Sequence, residues 1–116
     1  MINSYRDLIV WQRAMELVEE VYRLAGRLPK DELYGLSDQI RRAAVSIPSN
    51  IAEGYARKAA KDYGRFLVIA RGSKYELETQ LEICLRVGYL DKKDAEKALQ
   101  LCEEVGKMLN SIMAKL

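Results

Sequence analysis

Apolar positions in this chain recur every three or four residues through four long stretches. That is the spacing of amphipathic helices, not the strict alternation of half-buried strands. The first stretch runs from about Asp7 to Leu28, with Leu8, Trp11, Met15, Val18, Tyr22 and Ala25 on one stripe, and ends at "GRLPKDE", where Pro29 forbids continuation. The second runs from about Leu33 to Ala56 on Leu36, Ile40, Ala43, Ala44, Ile47 and Ile51. The third runs from about Ala60 to Val87 on Tyr63, Phe66, Leu67, Ala70, Leu77, Leu81 and Cys84. It stops at "VGYLD", where Gly88 suits a left-handed C-terminal position and Asp91 suits an N-cap. The fourth runs from about Lys92 to Ala114 on Ala95, Leu99, Cys102, Val105, Leu109 and Ile112. Only "FLVIA" at 66–70 could pass for a buried strand, and helical periodicity on both sides argues against it. Short connections make sequential helices antiparallel neighbours. The expected fold is therefore all-α, an antiparallel up-down-up-down four-helix bundle formed by residues 1–116 as one domain.

The pattern holds two irregularities. Apolar residues exceed what one core-facing stripe needs: Val10, Leu17, Val21 and Leu24 on the first helix, and Val68, Ile69, Tyr75, Ile83 and Val87 on the third. Such excess predicts burial in a subunit interface, hence a homo-oligomer. The other irregularity is "AAVSIPSNIAEG" at 43–54, a proline within a helical run. Pro48 lacks an N–H and its ring opposes the Ala44 carbonyl. Either the second helix is kinked at Pro48, with nearby hydroxyls or water satisfying freed backbone groups, or it breaks and Asn50 with Glu53 caps a short last segment. Helical spacing of Ile40, Ala44, Ile47 and Ile51 across the proline favours the kink. Small residues at Ala43, Ala44, Ser46, Ser49 and Ala52, and at Gly64, Ala70, Gly72 and Ser73, predict a close crossing of the second and third helices.

Composition narrows the function. The chain has 116 residues, 49% of them apolar, with two prolines and seven glycines, so it forms a packed domain of modest core. No apolar run approaches the roughly 18 residues of a membrane span, and the N-terminus "MINSYRDLIVWQ" has no signal-peptide pattern, which makes a cytoplasmic protein the expectation. Histidine is absent. That removes Ser-His and Cys-His nucleophiles, histidine-bearing di-iron sites and most zinc sites, and no cofactor or metal is expected. Cys84 and Cys102 fall roughly 10 Å apart along adjacent helices, too far to bridge, and serve as small core residues. Carboxylates at Glu16, Glu19 and Glu20, and at Glu76, Glu78 and Glu82, could in principle bind metal or do acid–base work, but their spacings are those of ordinary exposed helix faces.

The net charge of +2 hides an asymmetry. Residues 41–74 hold eight basic groups against two acids, +6, leaving eleven against fifteen, −4, elsewhere. Arg41, Arg42, Arg57, Lys58, Lys61 and Arg65 flank the short connection near 54–60. Arg57, Lys61 and Arg65 recur every four residues and would share a helix face able to neutralise phosphates, with Tyr55 and Tyr63 available to stack on unpaired bases. The bland alternative is a solvated basic face with Tyr63 in the core.

"DLIVWQRAMEL", "LPKDELYGLSDQIRRAAVSIPSNIAEG", "FLVIARGSKYELETQL" and "GYL" resemble the four-helix-bundle family first noticed as proteins encoded in intervening sequences of bacterial 23S ribosomal RNA genes. The resemblance spans about Tyr5 to Leu109, and its signature comprises Ser46, Pro48, Ser49, Asn50, Glu53 and Gly54. That family is similar to the accessory protein of diversity-generating retroelements, a pentameric barrel with a basic surface that engages nucleic acid and a reverse transcriptase. The resemblance implies a ring-shaped homopentamer and binding to RNA or DNA, and it implies no established catalytic activity. The alternative is a scaffold that binds a partner protein and no nucleic acid.

Overall fold

The computed structural model describes residues 1–116. It contains four α-helices and no strand: α1 (Ile9–Ala25), α2 (Leu36–Tyr55), α3 (Ala60–Arg86) and α4 (Lys92–Ala114). Short 3-10 turns precede α1 at Tyr5–Asp7 and α2 at Lys30–Glu32. α1 packs on α2 and α4, and α3 packs on α2 and α4; the diagonal pairs nowhere bring Cα atoms within 8 Å. The result is a four-helix bundle measuring 43 × 24 × 20 Å.

Local chemistry sets the boundaries. α1 starts two residues later than its pattern predicts because Leu8 is extended (φ −71, ψ 125) and the preceding turn has its own capping box, Ser4 with Asp7. α3 ends in a Schellman motif: Gly88 takes φ 82, and Tyr89 N–H donates to the Cys84 carbonyl at 2.9 Å. Asp91 then caps α4, accepting from Asp94 N–H at 2.8 Å while Asp94 Oδ2 accepts from Asp91 N–H.

One core runs through all four helices, led by Leu17, Leu24, Ile40, Ile47, Ile51, Leu67, Leu77, Leu81 and Leu109. The core stripe of α1 is not the expected one. Val10, Ala14, Leu17, Val21 and Leu24 are buried, while Trp11 and Val18 are half-buried and Met15 and Tyr22 are exposed. Two apolar stripes a residue apart each satisfy helical spacing, and packing against α2 and α4 selects the one that carries Val10, Ala14, Leu17, Val21 and Leu24. On α3 the surplus residues are the outer ones: Val68, Ile69, Tyr75, Ile83 and Val87 are all exposed.

α2 runs unbroken from Leu36 to Tyr55 with Pro48 buried inside it. The break with Asn50 as a cap does not form. Asn50 Nδ2 instead donates to the Ser46 carbonyl at 2.8 Å and to Ser46 Oγ at 3.0 Å. Ser46 Oγ in turn lies 2.8 Å from Ser73 Oγ on α3. The close crossing of α2 and α3 is real at Ser46–Ser73 and at Gly54, where a Cβ would fall 2.6 Å from Phe66 Cβ. Gly64 and Gly72 take no part: a Cβ at Gly64 meets only Leu116, at 3.7 Å, and one at Gly72 meets nothing within 4 Å.

The opposite end of the bundle is tied by two carboxylates. Glu32 accepts from Leu36 N–H at 3.0 Å and from the Tyr89 hydroxyl at 2.9 Å. Asp94 accepts from Arg27 at 2.6 Å. The Leu36 N–H, then the Tyr89 hydroxyl, hold the Glu32 carboxyl below its ordinary range; the Asp91 N–H does the same for Asp94. Both pKa values are lower folded than unfolded, so both groups stabilise the fold above the ordinary carboxylate range and lose that contribution as pH falls through the depressed values. Acid titration is expected to loosen this end, and Glu32→Gln should flatten the acid limb of the stability profile followed by circular dichroism. An unchanged limb would remove Glu32 from the account.

Candidate nucleic-acid interface

The six basic residues singled out in the sequence do not form one surface. Arg57, Lys58, Lys61 and Arg65 gather where α2 turns into α3. Arg41 and Arg42 lie further back along α2, about 20 Å from its end at Tyr55 by helical rise. Arg57 also falls in the turn rather than on α3, so only Lys61 and Arg65 share a helix face.

Each group has a distinct local state. Arg57 is 3.5 Å from Glu53 and its guanidinium sits 4.8 Å from the Phe66 ring centroid. Arg65 is 3.9 Å from Asp62, at the edge of ion-pair range. Lys58 and Lys61 are exposed and meet no carboxylate. Lys61 and Arg65, with Ala60, Gly64, Val68, Met113 and Leu116, border an open hollow of about 490 Å³. α3 begins at Ala60 with no side-chain cap, leaving its first N–H groups free toward the same end.

Arg42 pairs with Asp38 at 2.8 Å, while Arg41 reaches the Leu33 carbonyl at 3.5 Å and stacks 5.9 Å from the Tyr22 centroid. The basic segment also loses its last two members. Arg71 donates to Asn110 at 2.9 Å, and Lys74 is buried against α4. The Lys74 stem packs over Gly106, where a Cβ would come 2.9 Å from Nζ, and Nζ pairs with Glu78 at 3.2 Å. The sequence shows Lys74 only as one of the eight basic groups of residues 41–74. The signal it offered was Gly106, a glycine inside an otherwise regular helical pattern.

The tyrosines are only partly free. Tyr55 and Tyr63 meet edge to face at 6.0 Å, both half-buried, and Tyr63 packs against the core, where burial raises its pKa. Ser46 and Asn50 form the network above, Pro48 and Gly54 are buried, Glu53 pairs with Arg57, and Ser49 is exposed. Four of the six candidate carboxylates on α1 and α3 are paired, Glu16 with Arg13, Glu20 with Arg23, Glu78 with Lys74 and Glu82 with Arg86, while Glu19 and Glu76 are exposed and meet no cation. No group of three or more Cys, Asp or Glu side chains is placed to hold a metal ion, and no helix is long and apolar enough to cross a membrane. Cys84 and Cys102 are buried free thiols, and burial pushes the Cys102 pKa up to about 12.

Fold and surface thus define a helical bundle with many helix-local ion pairs and caps, a few polar ties between helices, and one basic end. The chain belongs to the 23S rRNA-intervening sequence protein family, whose profile matches residues 6–111. It is similar in structure to a protein of unknown function from the S23 ribosomal protein family of Bacteroides thetaiotaomicron. That likeness has a TM-score of 0.84 and 27% sequence identity, and covers 90% of this chain and 98% of the other. Among curated proteins, none matches the chain.

Proposed function

We propose that this protein is a non-enzymatic, self-associating helical bundle that binds the backbone of RNA or DNA at the end where α2 turns into α3. The observation that carries the proposal is the gathering of Arg57, Lys58, Lys61 and Arg65 at the uncapped start of a 27-residue helix, with Lys58 and Lys61 free of any carboxylate. Phosphates would meet cations, free N–H groups and the positive end of the helix dipole together. Glu53 and Asp62 temper each patch, so one copy alone binds weakly. Several copies in a ring, five as the family resemblance implies, would bring such patches together and raise avidity. A reducing, cytoplasmic setting suits two free buried thiols.

The test is titration of labelled single- and double-stranded RNA and DNA at two salt concentrations. Affinity should fall steeply with salt and depend little on sequence; binding indifferent to salt, or none at low salt, would refute the phosphate reading. A second reading, a scaffold for a protein such as a reverse transcriptase, is favoured by the exposed apolar faces of α1 and α3. Absence of nucleic-acid binding by an intact assembly would select it.

A further inference from the structure

Aromatic rings lie among the cations where α2 turns into α3, and phosphate binding alone has no use for them. Tyr55, Tyr63 and Phe66 are all half-buried. The two tyrosines are largely taken up with each other and with the core, Tyr63 packing inward and meeting Tyr55 edge to face. Phe66 is different, because it carries Arg57: the guanidinium carbon sits 4.8 Å from the ring centroid. The ring is held in place from α2, where a Cβ at Gly54 would fall 2.6 Å from Phe66 Cβ. Glu53, 3.5 Å away, steadies the guanidinium from its own helix.

The Arg57 side chain still keeps 46% of its surface open. A guanidinium seated over a fixed ring, with this much exposure, offers a planar cationic face to a second flat group. A nucleobase of any identity is such a group. Bases in a duplex hide their faces in the stack, whereas unpaired bases present them. Lys58 and Lys61, which follow Arg57 in the chain, are exposed and meet no carboxylate, and they supply point charges for the phosphates on either side of a stacked base. Arg6 and Arg41 also stack on rings, over Tyr5 and Tyr22. Neither has a lysine within four residues, Arg6 is followed by Asp7, and Arg42 beside Arg41 is paired with Asp38. Only at Arg57 do a seated guanidinium and free lysines coincide.

Resting on the backbone binding proposed above, we infer that the ligand of this end is single-stranded nucleic acid, held by an unpaired base stacked on the Arg57 guanidinium and by phosphates on Lys58 and Lys61. The base contact adds to the phosphate contacts without reading sequence, because every base has a π-face. Gly54 and Phe66 act as positioning residues: they hold the guanidinium ready before the strand arrives.

The test compares an unstructured oligoribonucleotide with a fully paired RNA hairpin of the same number of phosphates, both titrated at low salt by fluorescence anisotropy. The wild type should bind the open strand more tightly. Arg57→Lys keeps the charge and removes the planar face. It should weaken the open strand by at least about fivefold, the low end for one lost stacking contact, and leave the hairpin unchanged. Lys58→Gln should weaken both ligands alike. Both positions are exposed, so circular dichroism should show both variants folded as the wild type. A wild type that binds the hairpin as tightly as the open strand overturns the single-strand assignment and leaves backbone binding standing. So does an Arg57→Lys variant that binds the open strand at wild-type strength or weakens on both ligands equally. A wild type that binds neither ligand overturns both readings.

Discussion

Gly54→Ala should destabilise the bundle by about 1–3 kcal/mol, the range for overpacking a closed core. The new Cβ would stand 2.6 Å from Phe66 Cβ, 3.1 Å from Tyr63 Cδ1 and 3.3 Å from the Tyr63 carbonyl oxygen. Two of these atoms belong to the backbone or sit next to it, so no side-chain rotation relieves the clash. α3 must move away from α2, which also strains the Ser46–Ser73 bond further along the crossing. Alanine is the better helix former by up to about 1 kcal/mol, and that gain offsets only part of the loss. Urea denaturation reads the difference. A variant as stable as the parent would mean that the helices do not approach so closely at this end.

Reversing Arg57, Lys58, Lys61 and Arg65 to glutamate should abolish nucleic-acid binding while leaving the fold intact. All four are exposed, and only two face carboxylates, at 3.5 and 3.9 Å. Exposed pairs of this kind contribute little to stability. A copy that neutralises four phosphates would lose affinity about a hundredfold between 50 and 200 mM salt on duplex DNA. The reversed protein should show neither the affinity nor its salt dependence in a fluorescence-anisotropy titration. Reversal of Arg41 and Arg42 is the informative contrast. Those residues lie elsewhere on α2, so their loss should spare backbone binding, and equal loss would move the interface onto the α1–α2 side.

The sequence made some of this legible and hid the rest for identifiable reasons. The bounds of α3 and α4 came through closely because Gly88, Asp91 and the α2–α3 turn are local signals, and local signals survive folding. α1 was harder. Leu8-Trp11-Met15-Val18 and Val10-Ala14-Leu17-Val21 are equally periodic, and only the neighbouring helices decide which faces inward. The surplus stripe was thus visible before its location was. The basic segment misled because charge counted along a chain is not charge on a face. Arg71 and Lys74 turn toward α4, and Arg41 and Arg42 stay with α1 and α2. The Glu32–Tyr89 bond joins residues 57 positions apart and left no pattern to read.

The two core thiols have a practical consequence. Cys102 is fully enclosed with its pKa pushed to about 12, and burial raises that of Cys84 as well, so neither offers thiolate to a reagent near neutral pH. A cysteine introduced at any exposed position would be the sole labelling point, with no need for a cysteine-free background. Fluorophores or spin labels could then report distances between copies. Any slow reaction of the native pair would clock the opening of the core itself.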